Sequence, residues 1–298
     1  MKSGSRPAST HLLLCSALVL AASLMVACST AAPAQTTVST GRLASAPPPS
    51  ACGDNQPGRY EAAGFRLRPV TTAGYRHGLL ADVYQPADDP AKCRVGVVWV
   101  HGGGFTRGSR DGDAEHAWGA ALASRGYVLV SIDYRLAAGE PFGLDQATGQ
   151  DREAGVAHAI ADAQTALRWV RSSAAELGVD PDRVAIGGTS AGAMTAAGAA
   201  LTAPVDERVC TFVSVAGDIE PGWVGAAPAT ALFIHGDADD VVPYQSSVSA
   251  VDLLNGAGGR AELVTMAGAG HEITGVPTPD MVTAAAGWLR EHAADGCG

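Results

Sequence analysis

Three short segments carry side chains that could do chemistry together. The first is Gly187-Gly188-Thr189-Ser190-Ala191-Gly192, a G-x-S-x-G with a β-branched run before it and an alanine-rich helical stretch after it. A serine on a sharp strand-to-helix turn is held with its hydroxyl exposed, and glycines two residues to either side give the turn its clearance. The following helix N-terminus favours negative charge, and the Ala191 amide is aimed where an oxyanion would form. A serine hydroxyl is a poor nucleophile at neutral pH, so this chemistry also needs a base and an acid that orients it.

Eight histidines compete for the base. His11 falls in the leader, His77 precedes a strand, and His116, His158 and His292 lie on helical stretches without glycine context. His235 closes a strand, where local hydrogen bonding is the expected role. His271, in Gly268-Ala269-Gly270-His271 after the last strand, is the best placed. The acid belongs on the loop after the preceding strand, where His235-Gly236-Asp237-Ala238-Asp239-Asp240-Val241-Val242-Pro243 crowds three carboxylates together. Asp239 is the first choice, Asp240 the second and Asp218, after an earlier strand, the third. A calcium loop is excluded, because the EF-hand pattern needs glycine where Val242 stands and an acid or amide where Val241 stands. The third segment is His101-Gly102-Gly103-Gly104-Phe105. Three glycines after a buried strand weaken a fold unless bare amides are wanted, so Gly103 and Gly104 are candidate oxyanion donors beside Ala191; a close-packed loop is the competing reading. His101 reads as a brace for that loop. Phe105 and Trp223 are candidate pocket walls, with a plain core role equally open.

The elements that must position these segments follow from hydrophobic period. Strands are expected at 78–86, 94–100, 127–133, 183–187, 209–215, 231–235 and 260–266. Helices are expected at 113–125, 154–177, 191–201, 244–255 and 279–292, with Asp180-Pro181-Asp182 breaking the chain between helix and strand. Near-continuous apolar runs such as RVGVVWV at 94–100 suit strands buried on both faces of a parallel sheet. The alternation predicts one α/β domain at 58–298, its mostly parallel sheet covered by helices on both faces, with ligands at the carboxyl ends of the strands.

The 298 residues are 47% hydrophobic and 17% charged, which excludes a disordered chain. A net charge of −10 argues against a nucleic-acid partner, whose phosphates need a basic footprint. Residues 1–27 read as an export leader: Lys2 and Arg6 precede an apolar run at 12–26 that is too short to span a membrane comfortably. Leu24-Met25-Val26-Ala27-Cys28 resembles the lipobox of bacterial lipoproteins, with Met25 where leucine is usual; that resemblance implies lipid attachment at Cys28 and a place on the outer face of the cell membrane, ordinary secretion being the alternative. Residues 28–57, rich in Ser, Thr, Ala and Pro, read as a tether, so the lipid is the expected membrane contact. Cys52, Cys93, Cys210 and Cys297 then form an even set suited to two disulfides, with Cys52–Cys93 and Cys210–Cys297 the expected pairs. The absence of C-x-x-C spacing argues against zinc, and no cofactor is expected.

Taken together, HGGGF at 101–105, SIDYRL at 131–136, GGTSAG at 187–192, HGDADDVVP at 235–243 and GAGH at 268–271 resemble the α/β-hydrolase carboxylesterases, close to the hormone-sensitive-lipase-like and bacterial feruloyl-esterase-like groups. Their order, Ser then Asp then His, is that superfamily's order. The resemblance covers roughly residues 60–293 and implies an α/β-hydrolase fold and a Ser190-His271-Asp239 triad. It also implies an oxyanion hole at Gly103, Gly104 and Ala191, and hydrolysis of small-molecule or polymer-borne esters. A prolyl-oligopeptidase-like peptidase and a non-catalytic hydrolase-fold binding module are the alternatives. The sequence departs from the lipase-like group in two ways. It has no room for a helical cap between 215 and 231, so the site should be open except for cover from 137–152. It also carries Ala193 where another glycine is usual.

Overall fold

The central strand shows how the sequence builds the sheet. Every residue of β3 (Arg94–Val100) is buried, yet its side chains divide by parity. Val95, Val97 and Trp99 enter one apolar cluster, and Val98 and Val100 the other. That period of two is what a strand covered on both faces requires. The computed structural model describes residues 59–137, 149–225 and 229–294, with side chains of the second stretch from 153 onward.

Eight strands form one sheet in the order β1-β2-β4-β3-β5-β6-β7-β8. They are β1 (Thr71–Arg76), β2 (Leu79–Tyr84), β3, β4 (Val128–Ile132), β5 (Val179–Thr189), β6 (Phe212–Val215), β7 (Thr230–Gly236) and β8 (Arg260–Met266). β1 and β2 pair antiparallel, β2 also meets β4 antiparallel, and every pairing from β4 to β8 is parallel. The helices are α1 (Asp113–Ala123), α2 (Gly149–Ser172), a four-residue α3 (Ala174–Leu177), α4 (Ala191–Leu201), α5 (Tyr244–Gly256) and α6 (Pro279–Ala293). Trp118 and Leu122 of α1 join Met281, Trp288 and Leu289 of α6 on one face. Leu167 and Val170 of α2, Met194 of α4 and Leu254 of α5 pack on the other. Both faces of the sheet are therefore covered. None of the described helices is long and apolar enough to cross a membrane.

The strand order reverses at β3. From there α1 carries the chain outward to β4, whereas from β5 the chain moves the opposite way to β6. A crevice opens beyond the carboxyl ends of strands at such a switch point. The glycine run follows β3 into it, and Ser190 follows β5.

Four expectations change. β1 has no apolar signature, because it is an edge strand whose residues are largely exposed. Asp180-Pro181-Asp182 does not break the chain: β5 runs from Val179, with its pairing to β3 shifted between Arg94 and Gly96. The long helical stretch begins at Gly149 and yields to α3 at Ala174. Strand β6 begins at Phe212, three residues later than its apolar run. The leader, the tether, Cys28, Cys52 and Cys297 lie outside the described residues, as does 138–148 of the expected partial cover. Cys93 precedes β3 and Cys210 precedes β6.

Candidate active site

Ser190 stands where β5 becomes α4, in a backbone conformation (φ 53°, ψ −121°) that side-chain-bearing residues rarely adopt. Such strain costs about 1–3 kcal/mol and persists only where the surroundings hold it. Here its amide is held by the Val215 carbonyl at 2.8 Å. A Cβ at Gly188 or Gly192 would overlap the Val100 carbonyl at the end of β3, so only glycine lets the turn sit this close to the neighbouring strand.

Two loops bring the remaining groups to this hydroxyl. His271 opens a single 3-10 turn (His271–Thr274) after β8, and its Nε2 lies 3.0 Å from Ser190 Oγ. Its Nδ1 lies 2.8 Å from Asp239 Oδ2. The Asp239 side chain is fully buried. Its Oδ1 accepts the amides of Val241 and Val242, both at 2.9 Å. Burial alone would push this carboxyl up; the hydrogen bonds from His271, Val242 and Val241 outweigh it and hold the group below the ordinary carboxylate value. A carboxylate can only accept, so Nδ1 of His271 carries the proton and its Nε2 lone pair faces Ser190.

The three carboxylates of the β7 loop separate by direction. Asp237 Oδ1 accepts the Gly268 amide at 2.6 Å, Asp240 is exposed, and only Asp239 turns back under the loop to His271. Asp218, the third choice, accepts the Ile219 amide at 2.7 Å and does not reach the histidine.

Opposite the histidine, Gly103 has φ 111° and a Cβ there would overlap the Arg107 carbonyl; Gly104 has φ 59°. The Gly103 carbonyl accepts the amides of Thr106 and Arg107, which curls the loop. Among the described hydrogen bonds, the amides of Gly103, Gly104 and Ala191 have no protein acceptor. His101 braces this loop. It is buried, its Nδ1 meets the Gly102 carbonyl at 2.7 Å, and its ring stacks on Tyr134 with centroids 4.3 Å apart. Burial pushes its imidazole below the ordinary histidine value.

Ser190, His271, Gly103, Gly104 and Ala191 line one cleft of about 520 Å³. Phe105 is among its walls. Trp223 is not: it packs partly buried on the core, its ring near Gly198 of α4. Met194 and Glu115 line the cleft and were missed. Met194 could have been found from its spacing, one helical turn beyond Ser190. Glu115 reads in the sequence as an ordinary acid in a helix's first turn, with nothing local to mark it. Burial pushes its carboxyl up; its own amide opposes this, and Asp111 and Asp113 add to the rise.

Known proteins resemble the chain in two pieces. The BD-FAE family profile matches residues 81–221, and the prolyl oligopeptidase family profile matches 223–295. Fumonisin B1 esterase of Sphingopyxis macrogoltabida is 39% identical over 113 residues, covering 37% of this chain and 20% of that protein. Carboxylesterase NlhH of Mycobacterium tuberculosis is 40% identical over 98 residues, covering 32% and 25%. The chain thus spans about a fifth to a quarter of the curated relatives it matches. Among solved structures, Thermogutta terrifontis esterase 2 phosphorylated by paraoxon superposes with a TM-score of 0.61 at 25% identity, covering 74% of this chain and 94% of that one.

Proposed function

We propose that this chain, an α/β-hydrolase of the carboxylesterase type, hydrolyses short-acyl carboxylic esters through a Ser190-His271-Asp239 triad and an acyl-enzyme. One observation carries the reading: the hydrogen-bond chain from Ser190 Oγ through His271 to buried Asp239 ends beside three unengaged amides. As the Ser190 oxygen bonds to the ester carbonyl carbon, its proton passes to His271 Nε2. The carbonyl electron pair moves onto oxygen, facing the amides of Gly103, Gly104 and Ala191. Asp239 stabilises the imidazolium so formed. Collapse of the tetrahedral intermediate breaks the bond to the alcohol, which leaves with the proton from His271. Water then attacks the acyl-enzyme with His271 again as base, and Ser190 is regenerated. None of these steps calls for a metal or cofactor.

Ser190→Ala should lower kcat on an aryl ester by about 10⁴-fold or more with the fold intact, and abolish labelling by a fluorophosphonate. Retained hydrolysis would end the triad assignment. The cleft is modest in volume, so rates should fall from butyrate to laurate esters; rates that climb to palmitate would point to a longer acyl groove. The peptidase alternative draws on the prolyl oligopeptidase match over 223–295, and a peptide panel beside the ester panel separates the two.

The reading extends to location. The lipobox-like run ending at Cys28 supports an exported lipoprotein carried on the 28–57 tether, and the cysteine positions support Cys52–Cys93 and Cys210–Cys297 pairing. Cys28→Ser should release the protein from the membrane fraction or block its processing. Unchanged membrane association would count against the anchor.

A further inference from the structure

We propose that His235 is a positioning residue for this site, donating the fourth hydrogen bond to the Asp239 carboxylate from a ring whose orientation Ser247 fixes. The inference rests on the triad reading above and adds a residue that reading does not use. His235, near the end of β7, and Ser247, in the first turn of α5, are both fully buried. His235 Nε2 lies 3.0 Å from the Val242 carbonyl and 3.3 Å from Asp239 Oδ2, and its Nδ1 lies 2.6 Å from Ser247 Oγ. A carbonyl oxygen only accepts, so Nε2 carries a proton; Nδ1 is held at 2.6 Å by the Ser247 hydroxyl, which also lies 3.3 Å from the Gly217 carbonyl. The Nε2–H points to the Val242 carbonyl, with Asp239 Oδ2 close beside it at 3.3 Å, where a small tilt of the ring would let the carboxylate share the proton.

This closes the hydrogen-bond inventory of Asp239. A carboxylate offers about four acceptor sites. Oδ1 takes the amides of Val241 and Val242, Oδ2 takes His271, and His235 Nε2 stands 3.3 Å from Oδ2 at the remaining site. The side chain is fully buried, so no exposed edge is left for solvent. Without His235 one acceptor site would be buried and unmet, and the remaining charge on Oδ2 would fall more heavily on His271. The other ionisable side chains on surrounding segments are Asp237 and Asp240 of the same loop, Tyr244 of α5, Asp218 after β6 and Glu272 beside His271. Tyr244 stands edge-on to the His235 ring, with centroids 6.0 Å apart. Asp237, Asp218 and Glu272 accept the amides of Gly268, Ile219 and Gly270. None of these five hydrogen-bonds to Asp239 among the described contacts.

The test compares His235→Phe, which keeps a ring but no donor, with His235→Gln, whose amide N–H reaches about as far as Nε2. The full chain is assayed on an aryl ester, with rates expressed per site titrated by a fluorophosphonate. His235→Phe should lose about ten- to a hundredfold in kcat with KM little changed. The acid limb of its kcat/KM profile should move up by roughly half a pH unit or more, because a carboxylate with one donor fewer holds the proton on His271 more firmly. His235→Gln should recover most of both. A wild-type kcat and an unmoved acid limb in His235→Phe would overturn the proposal. If that variant does not fold, His235→Asn, too short to reach Asp239, decides the matter by the same two readouts. Hydrolysis surviving in Ser190→Ala would instead remove the triad reading itself.

Discussion

Two buried aspartates at opposite ends of the sheet do opposite things with their hydrogen-bond donors. Asp89, just before β3, has a fully buried side chain that takes both Arg59 Nη atoms at 3.2 and 2.6 Å, Arg94 Nε at 2.7 Å and the Ala91 amide at 3.1 Å. Asp239, after β7, is equally buried and takes two amides and the His271 imidazole, with His235 Nε2 3.3 Å from its Oδ2. In both, burial would push the carboxyl up and hydrogen bonds outweigh it, holding the group below its ordinary value. The difference lies in the partners. Guanidinium groups are permanently charged, so Asp89 is already matched and clamps the segments carrying Arg59 and Arg94. The partners of Asp239 include no permanently charged group: two backbone amides and the His271 imidazole. A matched carboxylate holds structure, whereas under the proposed triad the one beside His271 meets the charge that arises there during reaction.

The largest effect should come from Asp239→Asn. It removes the stabilisation of the His271 imidazolium and permits the wrong tautomer, so kcat should fall by about 10⁴-fold while circular dichroism stays that of the wild type. A kcat within tenfold of wild type would erase the contrast between the two aspartates. Asp89→Asn should do the reverse, costing about 3–5 kcal/mol of stability because it leaves two arginines without their carboxylate. That corresponds to a Tm lower by roughly 10 °C for a domain of this size, with kcat per titrated site unchanged. The same variant sharpens the comparison through pH. A carboxyl held low in the folded state contributes stability above its unfolded value, near pH 4, and that stability is lost as pH falls through the folded value. The Tm gap between wild type and Asp89→Asn should therefore be full at pH 7 and shrink below about pH 4. A gap that persists at pH 2 would mean packing, not charge, explains Asp89. The smallest effect should come from Asp240→Asn, less than about threefold in kcat, since the group is exposed and makes no bond to His271. A severe loss there with a mild one at Asp239 would reverse the assignment.

Ser190 and its two glycines were legible in the sequence because the requirement is local: a strand, a helix and a turn that tolerates no Cβ all lie within a few residues. The bounds of α4 and β8 agree with the periodicity for the same reason. Edge strand β1 was not legible, since an exposed strand leaves no apolar pattern to read. Nor was the role of Trp223, whose large apolar side chain suits a pocket wall and a core neighbour alike until the path of its segment is known.

By itself, the sequence determined which residue types were present, in what order, and on which strand ends they would lie. Only the tertiary structure decided among carboxylates a residue or two apart. Asp239 is separated by 32 positions from His271, and His271 by 81 from Ser190, and their meeting depends on where each loop turns its side chain. Asp239 was brought to His271 by amides that its own loop turned inward, and the His235 ring beside it is held by a serine on the next helix. A hydrogen bond is directional to within tens of degrees and a few tenths of an ångström. Residue order and spacing along the chain carry no such information across distances that only folding closes.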